Sequence, residues 1–125
     1  SIFKKTGLSA KDFAYGVFHM PNGKFPVQVA RSLGFSEAQI KDSLTVNYLG
    51  NSYTASALIG LMAVLEKAKP GELIFLCSYG SGAGSDSFVL KVTKNILKRR
   101  KEFKQIIEDK KYIDYPTYLK FMEII

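Results

Sequence analysis

The sequence of 125 residues predicts a single α/β domain, and three observations carry that reading. Short apolar runs of strand character alternate with segments of helical spacing, an order that favours parallel strand pairing. Glycine, proline and asparagine mark the junctions between them. An apolar content of 46%, with 13% aromatics, supplies enough side chain to bury a core in a chain of this length.

The elements follow in order. Ile2-Phe3-Lys4-Lys5 reads as the last turn of a helix, stopped at Gly7, and the chain opens on Ser1 instead of a methionine, so it is expected to be a piece of a longer protein. Ser9 to Asp12 is a short turn. Phe13 to Phe18 is a buried strand ending at His19, and Met20-Pro21-Asn22-Gly23 is a loop. Lys24 to Leu33 is helical, with Phe25, Val29, Ala30 and Leu33 on one face, Pro26 in the first turn and Gly34 closing it. Ser36-Glu37-Ala38-Gln39 is a capping box that opens a second short helix to about Asp42. Leu44 to Leu49 reads as a strand, and Gly50-Asn51-Ser52 as a turn in which Asn51 stands where a helix N-cap belongs.

The long helix that follows, Tyr53 to Ala68, is apolar almost all round and carries Ala55, Ala57, Gly60 and Ala63. Such a helix belongs in the middle of a protein, and its small-residue side is expected to meet a counterpart helix outside this sequence. Lys69-Pro70-Gly71 ends it. Leu73 to Cys77 is a strand of the kind covered on both faces. After the glycine-rich segment Gly80 to Ser85 come a strand from Ser87 to Val92 and a basic helix through about Lys104. A turn with Tyr112, Tyr115 and Tyr118 then leads into a last helical turn or two.

Several classes are excluded. One cysteine, Cys77, and one histidine, His19, leave no material for a disulfide scaffold or a structural zinc site. No apolar run approaches the roughly 20 residues of a membrane-spanning helix. The net charge of +7 is local: residues 1–90 hold eight basic and six acidic side chains (+2), residues 91–111 nine and three (+6), and residues 112–125 net −1. Within that stretch Lys98-Arg99-Arg100-Lys101 run consecutively without interleaved aromatics, so no stacking platform for single-stranded nucleic acid is present. The run reads as a solvated helix end, with a phosphate-binding patch as the alternative.

Three loops carry the candidate chemistry, and each is expected to follow a strand: His19, Asn51 and Ser81. Functional groups of open α/β sheets gather at the carboxyl ends of strands, so the three are expected to converge. Histidine can donate from one ring nitrogen and accept at the other, as acid–base work requires. The Asn51 amide either caps the following helix or donates toward a ligand oxygen. The glycine-rich segment lacks the lysine of a phosphate loop, but its backbone N–H groups can face a developing oxyanion. Cys77 lies inside an apolar strand and is expected to be buried and inert.

Three segments, Val17-Phe18-His19-Met20-Pro21-Asn22-Gly23-Lys24-Phe25-Pro26, Tyr48-Leu49-Gly50-Asn51-Ser52-Tyr53-Thr54 and Ser78-Tyr79-Gly80-Ser81-Gly82-Ala83-Gly84-Ser85-Asp86, in this order and spacing, resemble archaeal-type hydroxymethylglutaryl-CoA (HMG-CoA) synthase. Lys110-Lys111-Tyr112-Ile113-Asp114-Tyr115 is similar to the end of that family. The resemblance implies the C-terminal part of a thiolase-like fold, a mixed sheet with a buried central helix, residues 1–125 forming one unit with 92–125 as a basic helical tail. It implies a cytoplasmic acyltransferase of the mevalonate route to isoprenoids, condensing acetyl-CoA with acetoacetyl-CoA through an acetylated cysteine with a glutamate as acid and base.

By motif, the resemblance implies that His19 and Asn51 bind the acetoacetyl thioester, that the Ser81 backbone N–H serves the acyl oxyanion hole, and that Lys24 contacts CoA. Gln28 stands where a basic residue near CoA is implied. CoA thioesters are then substrates, with no permanently bound cofactor. A homodimer and a complex with an acetoacetyl-CoA thiolase and a bridging protein are implied as partners, without membrane or nucleic acid. The family's cysteine and glutamate fall outside this sequence, so the chain alone is expected to be inactive. A non-enzymatic assembly domain, or a nucleic-acid binder working through the basic tail, is the alternative.

Overall fold

A mixed sheet of three strands in the order β1-β2-β3 organises the protein. The computed structural model describes residues 1–80, 84–100 and 102–124. Strand β1 (Tyr15–Phe18) runs parallel to β2 (Leu73–Gly80), with Tyr15 opposite Ile74 and Phe18 opposite Cys77. Strand β3 (Gly84–Lys91) returns antiparallel along β2, from Gly84 opposite Gly80 to Lys91 opposite Leu73. A parallel pair needs a long crossover, and the segment between β1 and β2 supplies it as helices α2 (Phe25–Ser32), α3 (Glu37–Ile40), α4 (Val46–Leu49) and α5 (Ala55–Lys67). Helix α1 (Ile2–Thr6) precedes the sheet, and α6 (Ile96–Arg99), α7 (Phe103–Glu108) and α8 (Tyr115–Phe121) follow it.

Alternation along the strands divides the core into two. On one face Phe18 and Phe75 pack with Phe13, Phe35, Ala30 and Ile40. The rings interlock, Phe18 on Phe35 at 5.5 Å and Phe13 on Phe75 at 5.6 Å, both edge to face. On the other face Val17, Ile74 and Leu76 pack against Ala57, Val64 and Ala68 of α5 and its end, closed by Val92. The expected mixed α/β class with a central helix is therefore present, as are the capping box at Ser36 and the proline in the first turn of α2, and the structure adds a second capping box at Ser9.

Three expectations are corrected. Residues 44–49 do not form a strand: Leu49 N–H donates to the Thr45 carbonyl and Gly50 N–H to that of Val46, closing a helical turn. A short apolar run suits either period, and here it follows the buried Ser43, whose hydroxyl donates to the Gly16 carbonyl of β1 and whose own carbonyl lies against Gly60 of α5. The basic segment is not one helix through Lys104 but the two short helices α6 and α7, with Arg100 in extended backbone between them.

The third correction concerns α5. Most of its small-residue side is covered by this chain itself, since Ala57, Gly60 and Ala63 are buried, whereas Ala55 at its start is exposed. A Cβ placed on Gly60 would stand 2.8 Å from the Ser43 carbonyl oxygen and 3.0 Å from the Met20 side chain, so only glycine permits this approach. The open side of the helix is instead the large-residue side, where Leu58 and Met62 are 59% and 47% exposed.

Candidate functional site

His19 sits where β1 ends. Its backbone N–H donates to the Cys77 carbonyl at 2.9 Å, extending the parallel ladder by one bond and fixing where the ring leaves the sheet. The half-buried ring then meets two other elements. Its Nδ1 lies 3.3 Å from the Oγ of Ser56 in the first turn of α5, and its centroid lies 5.9 Å from that of Tyr79 near the end of β2. Ser56 is fully buried, and its Oγ also accepts the Met20 backbone N–H at 3.1 Å. One hydroxyl thus ties the turn after β1 to the start of α5.

Asn51 approaches the same end of α5, but after a helix and not after a strand. It does not cap α5: Thr54 holds that position, and the Asn51 Oδ1 accepts the Tyr53 N–H at 2.7 Å instead. The side-chain amide nitrogen remains free to donate outward among the described residues. Gly50 at φ 78° and Tyr53 at φ 51° bracket this turn. A non-glycine residue in left-handed backbone is uncommon and costs energy, and here the Asn51 Oδ1 bond to the Tyr53 N–H accompanies it.

Lys24 opens α2, with its N–H and that of Phe25 donating to the Asn22 Oδ1 at 2.9 and 2.8 Å. Its side chain is exposed and shares a shallow depression with Asn22, Phe25 and Gln28. Ser81 lies outside the described residues; Gly80 and Gly84, on either side of it, are register partners. Cys77 is half-buried and not sealed as expected, because its side of the sheet opens beside Phe3, Val29 and Asp86. Sequence reasoning missed Ser56 and Tyr79, whose signal is only their spacing from Asn51 and Cys77.

The opposite end of β1 carries a separate polar cluster. Lys67 donates to Asp42 at 2.6 Å, a bond that holds the ammonium pKa above its ordinary value. Burial, and then the charges of Glu72 and Asp42, push the Tyr15 hydroxyl upward. Arg100 donates to the Ala68 carbonyl at 2.5 Å, just past the end of α5. These bonds fasten the C-terminal end of α5, while the Ser56 contacts fasten its start.

Residues 3–92 match the family described as 3-oxoacyl-[acyl-carrier-protein (ACP)] synthase III C terminal. The chain belongs to that family. Among curated relatives it is 50% identical over 121 residues to the hydroxymethylglutaryl-CoA synthase of Archaeoglobus fulgidus, covering 95% of this chain and 35% of the relative. To the synthase of Caldivirga maquilingensis it is 45% identical over 127 residues, covering 99% and 36%. The chain therefore spans about a third of the length of these relatives. A crystal structure of an HMG-CoA synthase complexed with CoA superposes with a TM-score of 0.69 at 27% identity, covering 85% of this chain and 31% of that one. The fold is thiolase-like, as the three motif segments implied. No helix among the described residues is long and apolar enough to cross a membrane.

Proposed function

We propose that this chain is the substrate-holding part of an HMG-CoA synthase, an enzyme that converts acetyl-CoA, acetoacetyl-CoA and water to HMG-CoA and CoA. The observation that carries the reading is identity of 45–50% across nearly the whole chain to synthases of that name. The likeness to a synthase structure solved with CoA supports the substrate class. The rest of the relatives' length would supply the cysteine and the glutamate.

In this reaction the acetyl group passes from CoA to the cysteine, releasing CoA. Its methyl carbon loses a proton to the base and bonds to the ketone carbon of acetoacetyl-CoA. The ketone oxygen gains a proton, and water then cleaves the enzyme thioester. This chain's residues serve the second substrate. His19 and the Asn51 amide donate to its thioester oxygen, which holds the neighbouring ketone carbon in place for the attacking methyl carbon. The role of donor to the acyl oxyanion is proposed for the Ser81 backbone N–H on the motif resemblance alone.

Lys24, exposed at the start of α2, meets a CoA phosphate as a point charge, with Gln28 as a neutral neighbour in the same depression. The proposal includes a cytoplasmic enzyme of the mevalonate route, assembled as a homodimer and able to join a thiolase through a bridging protein.

The test is to combine the chain with the N-terminal portion of a relative and assay HMG-CoA formation. Product with the pair and none with either part alone is expected. Lys24→Ala should raise KM for the CoA substrate several-fold and change kcat by less than about twofold, since a remote phosphate contact contributes mainly uniform binding. An unchanged KM removes Lys24 from the site. A well-folded pair that makes no product sinks the synthase reading.

A further inference from the structure

We infer that Ser56 is a positioning residue that holds His19 in the tautomer with the proton on Nε2, so that the ring presents an N–H donor to the substrate oxygen. The inference rests on the placement of His19 at the substrate, proposed above, but its argument is local. Ser56 has one hydroxyl proton to give and is 1% exposed. A buried hydroxyl donates wherever an acceptor is in reach.

Its Oγ makes two contacts among the described residues: Met20 N–H at 3.1 Å, which can only donate to it, and His19 Nδ1 at 3.3 Å. The hydroxyl proton therefore points to Nδ1, which must be the unprotonated, accepting nitrogen. In the opposite tautomer both Met20 and Nδ1 would donate to one oxygen, leaving its own proton buried with no partner. The backbone makes the arrangement rigid. Met20 is fully buried and follows the His19 N–H bond to β2, so the donor that polarises Ser56 cannot turn away.

This assigns a division of labour around one ring. Nδ1 is occupied by Ser56, whereas Nε2 has no hydrogen-bond partner among the described residues and is free for a carbonyl oxygen. An N–H at that position suits stabilisation of a thioester or ketone oxygen. An unprotonated Nε2 would repel it.

Long-range proton–nitrogen spectra of nitrogen-15-labelled protein test the tautomer, with the His19 signals identified as those lost in His19→Gln. The wild type should show a pyridine-like Nδ1 and a pyrrole-like Nε2. Ser56→Ala should move both toward averaged positions, and Ser56→Thr, which keeps a hydroxyl, should restore the wild-type pattern. In the complete enzyme, Ser56→Ala should lower kcat about tenfold with little change in KM, the scale lost when a group that orients a working side chain is removed.

A protonated Nδ1 in the wild type overturns the inference without any variant having to fold. An unchanged pattern in folded Ser56→Ala overturns it as well. If the tautomer shifts while turnover does not, the hold of Ser56 on the ring stands, and it is the role of His19 in the reaction that falls.

Discussion

Gly60 of α5 and Ser43 are packed so closely that a Cβ on the glycine would stand 2.8 Å from the serine carbonyl oxygen. Backbone, and not a flexible side-chain end, is what it would strike. Ser43 cannot withdraw easily, because it is buried and its hydroxyl donates to the Gly16 and Ile40 carbonyls at 2.9 and 2.8 Å. Gly60→Ala sets two effects against each other. Alanine gains about 1 kcal/mol of helix propensity, while overpacking a filled core loses about 1–3 kcal/mol.

The two terms net to about 0–2 kcal/mol, and because the contact is with backbone the destabilisation should fall in the upper part of that range. Chemical denaturation measures it. A variant as stable as the wild type would show that α5 can lift from Ser43 at no cost.

The outer side of α5 leads to a prediction about solution behaviour. Leu58 and Met62 lie one turn apart, with Leu97 and Ile106 also exposed. A helix that presents such a stripe to water associates through it. The chain by itself should form concentration-dependent oligomers in light scattering, and Leu58→Glu with Met62→Gln should return it to a monomer without loss of melting temperature. A wild type that stays monomeric at high concentration contradicts this.

Cys77 should not take up an acyl group. Nothing among the described residues hydrogen-bonds its sulfur, and a nucleophilic thiol needs a base or cation beside it. Its partial exposure makes the prediction sharper than simple burial would, since reagent access is available and only activation is missing. Incubation with acetyl-CoA should leave the intact mass unchanged. One acetyl per chain, abolished by Cys77→Ala, would overturn both this reading and the expectation that the chain alone is inactive.

Two carboxylates should contribute to the acid side of the stability profile. Asp12 is held below its ordinary value of 3.8 by the Ser9 backbone N–H and then by the Ser9 hydroxyl. Asp114 is held below it by the Thr117 side chain and then by the Thr117 backbone N–H at the start of α8. A lowered folded-state pKa means stabilisation that is present above pH 3.8 and fades as pH falls through the folded value. Asp12→Asn and Asp114→Asn together should flatten the acid limb of the melting-temperature profile below pH 4 and leave its shape near neutrality. An acid limb of unchanged slope would show that other carboxylates dominate.

Much of the fold was legible in local chemistry. The capping box at Ser36, the proline of α2, the apolar runs of β1 and β2 and the long apolar α5 are each written in residues adjacent in sequence, so periodicity and cap chemistry suffice to find them. The order and spacing of the segments around His19 and Asn51 also sufficed to point to the family.

What sequence could not decide depended on partners far along the chain. Leu44 to Leu49 has the residues of a strand and becomes a helical turn, directly after a buried Ser43 that is tied to the Gly16 carbonyl of β1 and packed against Gly60 of α5. The side of α5 that is buried was decided by Gly60 meeting Ser43, 17 positions away, and no pattern within the helix encodes that contact. The same holds for the ring of His19. Its place at the end of β1 followed from sequence, but the hydroxyl that reaches Nδ1 comes from residue 56 and is aligned only when the crossover brings the first turn of α5 beside the sheet. Local sequence marked out most of the elements and the candidate residues at their ends. Which of them touch was decided by packing, because contacts across tens of residues form only when the buried faces of α5 and the sheet have found each other.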